Sequence, residues 1–401
     1  MTLSRACIVS IAVVSALAAG CGSSDSAKSD PPDGIACSSV TSGGGSSGTL
    51  AGSLSAAQTG SCIVLEPGIG YSGTFVVPSG VTLTGPRGAR STISAGTGKD
   101  PLVTLGEGAK LVNVDVVNAT AVGVAVRAAN ATLQDVHVTG AKTAAVGILC
   151  TGDGCGSGVI TLKDLNLEKS ELGLWVSGAH VAMSGGRSGE NGGTGLTSGL
   201  GIVAANGAKL ELDGVTVEKN QATAVLIDGA QTTATINNST IQDNSDRGVW
   251  AQKVAGSLSA PAVQITGSTI VRNKIVGVGS VEARGIIIVG GRVAETQAAP
   301  VVTNLAATEQ VGDGFGVFSQ STDWKIDGTV VEANVRAAGL IDDGSKQGII
   351  IVGGKISAGA SGYKVVVQGT DASAVQLADT DKSSAPELGV SSPKISLPPV
   401  L

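Results

Sequence analysis

The chain predicts an all-β solenoid of stacked coils, and three observations carry the prediction. A nine-residue unit recurs along most of the 401 residues. Sixty glycines accompany only three Trp, two Tyr and three Phe. The apolar fraction, 42%, comes mainly from Val, Ile, Leu and Ala, so the interior is aliphatic and the turns are tight. Clear copies of the unit begin at Leu133, Leu162, Leu212, Ile236, Ile265 and Ile326, and weaker ones at Leu111, Met183, Val302 and Ile351. Most starts lie 21 to 29 residues apart, the spacing of a β-coil rather than of a helical repeat. Length alone would suggest two or three domains, but a continuous repeat grows by adding turns to one core.

The first twenty residues read as a targeting segment. Arg5 supplies a positive start, and Ile8 to Ala19 is an apolar run too short to span a bilayer comfortably. The run ends in Leu17-Ala-Ala-Gly-Cys21, which resembles the lipobox of bacterial lipoproteins. The resemblance implies that Cys21 carries a lipid, although Ala18 stands where that motif usually has leucine. Ordinary secretory cleavage after Ala19 is the other reading. Residues 21–36 are polar and Pro-rich and are expected as a tether. The expected partner is then a membrane, reached through the lipid, and the expected location is the bacterial cell envelope, at the outer membrane or cell surface.

Cysteine usage agrees with export. Beyond Cys7 and Cys21, four cysteines remain, and an even number in an exported chain favours disulfides. We pair Cys37 with Cys62, stapling the lead-in to the first strand, and Cys150 with Cys155, closing a short Gly-rich loop. Zinc is poorly served, since His137 and His180 are the only histidines and form no paired motif.

Within the unit, positions 1, 4 and 6 are aliphatic or small, as in Leu133, Val136 and Val138. Positions 4 and 6 therefore share one face of a strand and position 5 faces outward. Positions 2 and 3 are turn-formers such as Asp213-Gly214 and Asn237-Asn238. Position 9 is Asn191, Asn220, Asn244, Asn273 and Asn334 in successive copies, which predicts a hydrogen-bonded amide ladder in a turn. Position 7 carries Glu168, Glu218 and Glu332, with Lys169, Lys219 and Arg272 at position 8, a pattern of salt-bridged surface.

The whole pattern, roughly residues 50 to 370, resembles the right-handed parallel β-helix, or pectin-lyase-like, family. Leu54-Ser-Ala-Ala57, Cys62-Ile-Val-Leu-Glu-Pro-Gly68, Tyr71-Ser-Gly-Thr-Phe75 and Pro78-Ser-Gly-Val-Thr-Leu-Thr-Gly85 reinforce it at the start. The resemblance implies a single-stranded right-handed parallel β-helix of roughly ten or more coils over 37–375. It also implies a short N-terminal capping helix, here Leu50 to Ala57. Residues 376–401 lose the periodicity and are expected as a tail or cap. Gly285–Val293 and Gly348–Ile356 match each other 63 residues apart, but the register between 280 and 325 cannot be assigned from sequence.

Chemistry is sparser. Many members of that family cut or isomerise acidic polysaccharides, using an Arg or Lys base with calcium, or paired aspartates with Gly-His-Gly and Arg-x-Lys segments. Gly-His-Gly is absent, and Arg272-Asn-Lys274 has no companions. Gly312-Asp-Gly314 reads as a turn. One constellation stands out: position 5 of four successive copies carries Asp115, His137, Asn166 and Arg187. Stacking would place them in one column of roughly 14 Å, a candidate catalytic or ligand face. The column continues as Thr216, Thr240 and Thr269, as any solvated strand would. Trp175 and Trp250 are candidate platforms for a sugar chain, and His180 reads as an ordinary strand residue without a charged neighbour. No cofactor or metal ligand set is expected. The net charge of −6, with mixed signs, argues against a nucleic-acid partner. The reading that follows is a non-catalytic, lipid-anchored rod, scaffold or adhesin binding a polysaccharide or an envelope protein. The alternative is a polysaccharide lyase or glycoside hydrolase working through the Asp115–Arg187 column.

Overall fold

A computed structural model describes residues 30–94, 98–150, 155–195, 198–301, 309–342, 348–359, 362, 364–368, 375–378 and 388–390. The targeting segment, Cys21 and the unit expected at Val302 lie outside the described residues.

The nine-residue unit is the structural unit of a parallel β-solenoid. Each coil has a strand that ends at positions 1 and 2, a corner, a short strand at positions 5 to 7, a second corner, and a third strand on the opposite sheet. In one coil these are Lys209–Asp213, Thr216–Glu218 and Val225–Asp228. Among the described residues the first two strand types join in one 24-stranded sheet and the third forms a 13-stranded sheet. Both sheets stack in parallel register, so Leu212 lies between Met183 and Ile236.

Positions 1, 4 and 6 form the core. Leu133, Val136 and Val138, like Leu212, Val215 and Val217, are buried in a single aliphatic cluster running the length of the stack. The corners explain the turn-formers. Position 3 has a positive φ in every aligned copy, and it is always Asn, Asp or Gly: Asn113, Asp135, Asp164 and Asn238, for example, or Gly214 and Gly267. Those residue types enter the left-handed region at least cost. Position 8 is left-handed in most copies, and there residue type is not restricted: Lys169, Glu190, Lys219 and Arg272 occupy it as well as Asn118, Gly140 and Ala333.

The N-terminal end is built as expected. Strand β1 (Ser39–Ser42) pairs with β2 (Ser61–Val64), and helix α1 (Ser47–Ala56) lies between them in sequence. Ser46 and Thr49 cap the helix reciprocally, and Leu50 and Leu54 plug the open end of the core. Both disulfides form, Cys37–Cys62 and Cys150–Cys155, each with Cα atoms 5.5 Å apart. Contact begins before the expected boundary at 37. The Asp30 carbonyl accepts from the Arg87 amide at 2.9 Å, and Asp33 pairs with Arg87 at 2.6 Å.

The unassigned region resolves into a copy the sequence reading missed. Ile288 pairs with Ile265 before it and Ile326 after it, and Ile326 with Ile351. The two matching Ile-rich runs are thus equivalent strands two coils apart. The coil between Ile288 and Ile326 is long because it carries an antiparallel pair, Ala299–Val301 with Glu309–Val311. The solenoid also runs past 375: Val375–Ala378 pairs with Ile349–Val352, and Leu388–Val390 with Val365–Val367.

Candidate functional site

The register brings the position-5 column together. Asp115 pairs with His137, His137 with Asn166, Asn166 with Arg187 and Arg187 with Thr216. Thr240, Thr269, Arg292, Val330 and Lys355 extend it coil by coil. The side chains stand on one outward face, as alternation requires.

What surrounds them limits their chemistry. At the N-terminal end of the column, Asp115 Oδ1 lies 3.5 Å from His137 Nδ1 and 3.4 Å from Arg90 Nη1. Arg90 in turn donates to the Asp135 carbonyl at 2.7 Å and pairs with the Asp135 carboxylate. Arg187 is held by three carboxylates from three coils: Glu218 at 2.7 Å, Glu190 at 2.8 Å and Glu168 at 3.0 Å. Burial pulls the guanidinium pKa down, but the hydrogen bonds it donates to Glu218 and Glu190 outweigh this and hold the group above its ordinary value. Burial likewise pushes Glu218 up, yet donation from Gln242 and Arg187 keeps its carboxyl below the usual range. Asn166 lies between these two ends, and its Oδ1 is buried with no hydrogen-bond partner.

The acidic position-7 column therefore pairs with position-5 cations of neighbouring coils rather than with position 8. Glu332 repeats the pattern further on, meeting Lys355 at 2.7 Å and Arg292 at 3.2 Å, and those two hydrogen bonds, Lys355 first, lower its pKa. Within the Arg272–Lys274 spelling, Arg272 is spent on Asp243 and Glu295.

Several sequence readings need correction. Trp250 is 1% exposed; it lies against Phe318 with ring centroids 5.8 Å apart, under Arg247 at 4.4 Å, and cannot serve as a sugar platform. Trp175 is half-buried on the same sheet, and Trp324 is buried, donating to Ser280 Oγ at 2.9 Å. His180 does have a charged neighbour: its Nε2 is 3.0 Å from Glu211 of a later coil. Glu211 is held below the ordinary carboxylate range by Lys209 first and His180 after it. Asp313 is not in a turn. It opens the strand Asp313–Phe318, is buried and ion-paired with Arg336, and burial pushes its pKa up against that partner.

The asparagine column is the ladder that the sequence predicts. Nδ2 of Asn191 donates to Asn220 Oδ1 at 2.9 Å, Asn220 to Asn244 at 2.9 Å and Asn244 to Asn273 at 2.7 Å. Each Oδ1 also accepts the backbone N–H of the residue one coil earlier. Facing the ladder is a column that sequence reasoning missed, in which Gly173, Gly201, Gly248 and Gly314 leave the amides their room.

Among the described residues, shallow depressions mark the lateral surface. One, of about 470 Å³, crosses several coils and is lined by hydroxyl, amide and carboxylate side chains including Thr161, Ser184, Asp213, Thr235, Asn237 and Thr266. Another, of about 500 Å³, lies beside Arg90 and Asp135. Among the described residues no group of three or more His, Cys, Asp or Glu side chains converges to hold a metal ion. Nor is any helix there long and apolar enough to cross a membrane.

The class of protein is thus a parallel β-solenoid with a polar lateral surface. Residues 122–293 match the family model described as "Right handed beta helix region", which makes the coil a right-handed one. A comparison with curated proteins gave no match. Among solved structures the chain is similar to the Dettilon tailspike protein gp208 at 13% identity and TM-score 0.51, covering 84% of this chain and 64% of that one. It thus spans under two thirds of the tailspike's length. It is also similar to the A-module of the Azotobacter vinelandii mannuronan C-5 epimerase AlgE4, at 14% identity and TM-score 0.48, covering 86% of this chain and 95% of that one. Pectate lyase Pel9A matches at 13% identity and TM-score 0.30, over 88% of this chain and 80% of that one. At these identities the likeness is one of fold.

Proposed function

We propose that this protein is a non-catalytic, lipid-anchored β-helix of the bacterial cell envelope, a rigid rod whose lateral face binds a polysaccharide. The observation that carries the reading is the state of the position-5 column. A catalytic base or nucleophile needs a free group aimed at a vacant point. Here Arg187, the column's candidate base, is satisfied by Glu168, Glu190 and Glu218. The trough lined by Asp213, Asn237 and Thr266 offers hydroxyl, amide and carboxylate groups in register over successive coils, which suits a repeating polyhydroxylated chain. The lipid anchor and the envelope location rest on Leu17–Cys21 and the polar stretch after it.

The test is retention of envelope and capsular polysaccharides by the immobilised chain from Gly22. An Asp213→Ala, Asn237→Ala, Thr266→Ala triple variant is expected to lose at least about tenfold in affinity, equivalent to about 1.4 kcal/mol. Retention that the triple variant leaves unchanged would remove the trough from the proposal. A second reading, a polysaccharide lyase or hydrolase, is favoured by one observation, the 3.5 Å approach of His137 Nδ1 to Asp115 Oδ1 on the outward face.

A further inference from the structure

Resting on the trough reading above, we infer that Lys163 joins the trough and the depression beside Arg90 into one axial groove, which takes a linear neutral polysaccharide and rejects a polyuronate. Both depressions lie on position 2 of the repeat. Register stacks that position in one outward column, from Val112 through Gln134, Lys163, Ser184 and Asp213 to Thr266. The depression beside Arg90 ends at Gln134, and the trough begins at Thr161 and Ser184. Lys163 is the register partner of both Gln134 and Ser184, so a single side chain stands between the two. That side chain is exposed, and among the described residues it has no hydrogen-bond or ion-pair partner.

The groove is bounded at both ends. Pro32 and Gly88–Arg90 wall off its start. Beyond Thr266 the column turns aliphatic at Val289, which is 36% exposed, with Ile287 on the same strand. From Val112 to Thr266 the column climbs six coil steps of about 4.8 Å, roughly 29 Å in all, room for several pyranose rings end to end.

Donors and acceptors alternate along this length. In the first depression Arg90 is spent on Asp135, and Asn113 on the carbonyls of Pro86 and Ala89, which leaves the Gln134 amide for a ligand. Lys163 then supplies only donors, Ser184 both, and Asp213 only acceptors, with Asn238 Nδ2 on one of its oxygens at 3.1 Å. Sugar hydroxyls both donate and accept, so a neutral chain can meet each group in turn.

Charge sets the class of chain. Glu211 holds Lys209 and His180, and Asp135 holds Arg90, so Lys163 is the cation left to face Asp213 and its own neighbour Asp164. A polyuronate would bring a carboxylate on every ring against those two acids, with one ammonium to answer it. A neutral chain meets no such repulsion and gains charge-assisted hydrogen bonds from Lys163 and Asp213.

The test is titration calorimetry of the full chain in detergent micelles with β-1,4-linked glucose and mannose disaccharides and hexasaccharides, beside hexagalacturonate. One neutral hexasaccharide is expected per chain, bound at least about tenfold more tightly than the disaccharide of the same sugar. Lys163→Ala is expected to weaken the hexasaccharide at least about fivefold. Two hexasaccharides per chain, no gain with length, or an unaffected Lys163→Ala would each overturn the single groove. Tighter binding of hexagalacturonate, or polysaccharide retained by the immobilised chain while no neutral hexasaccharide binds, would overturn the neutral class. Stoichiometry and length dependence are read on the wild type, so a misfolded variant would not blunt the test. Loss of all carbohydrate binding, in retention and titration alike, would instead remove the trough reading itself.

Discussion

Asn244→Ala should be among the most damaging single substitutions outside the aliphatic core. Asn244 is buried, and its Nδ2 donates to Asn273 Oδ1 at 2.7 Å, the Gln242 carbonyl at 2.9 Å and the Val217 carbonyl at 3.2 Å. Its Oδ1 accepts from Asn220 Nδ2 at 2.9 Å and from the Asn220 amide at 3.0 Å. Truncation leaves two donors of Asn220 facing a dry void. Each stranded buried donor costs about 1–3 kcal/mol, so the total expected is roughly 3–5 kcal/mol. Asn244→Asp should cost at least as much at neutral pH, because it turns an oxygen toward three acceptors. Thr240→Ala, on the outward face of the same coil, should stay within about 0.5 kcal/mol. Solenoids need not unfold in one step, so the readout is twofold: urea unfolding followed by tryptophan fluorescence, and amide exchange over 236–252. A cost below about 1 kcal/mol for Asn244→Ala, with exchange no faster than in Thr240→Ala, would refute the ladder as a stabilising device.

Three further predictions follow from the same geometry. The ladder breaks at Thr296, whose hydroxyl has no partner and which gives Asn273 Nδ2 no Oδ1 to donate to, so Thr296→Asn, accepting from Asn273 and donating to Asn334 Oδ1, should raise stability by about 1 kcal/mol in urea unfolding; a loss would show that the site lacks room. Arg187→Met should cost about 2 kcal/mol at neutral pH, because it leaves the exposed Glu190 and the half-buried Glu168 and Glu218 facing one another. Glu218 and Glu332 sit below their unfolded pKa values, so their stabilisation is fully present above the ordinary carboxylate range and is lost as pH falls from there through their lowered folded values. The acid limb of the unfolding profile should accordingly be shallower in Arg187→Met than in the wild type, and an unchanged limb would contradict the pairing. Finally, if the proposed anchor is present, Cys21→Ala should move the full chain from the detergent phase to the aqueous phase in a phase-partition assay, and partition unaffected by the substitution would remove the lipid from the proposal.

Much of the fold is legible because the repeat writes backbone conformation and burial into the same nine positions. Leu, Val and Ile at positions 1, 4 and 6 are the core, and Asn, Asp or Gly at position 3 marks the left-handed corner. The copy at Ile288 escaped because its ladder position is Thr296 rather than Asn and the next copy, at Ile326, follows only after the inserted antiparallel pair. Contacts across coils were harder to read. Glu168 and Lys169 are neighbours in sequence, yet Glu168 meets Arg187 of the next coil, and His180 finds Glu211 31 residues on. Trp250 misled because its strand position faces away from the central core, while its ring is covered by Phe318 and Arg247. A pattern that specifies which side of a strand faces out does not specify what lies on top of it.

The central claim, that the outward column is architecture rather than an active site, is tested most directly by turnover. The chain from Gly22 would be given a panel of acidic and neutral polysaccharides, with and without calcium, beside an Arg187→Ala, His137→Ala double variant. The account predicts no cleavage and no epimerisation by either protein, with both retaining a β-rich spectrum. Turnover by the wild type that the folded double variant lacks would contradict it and make Asp115, His137, Asn166 and Arg187 a catalytic face.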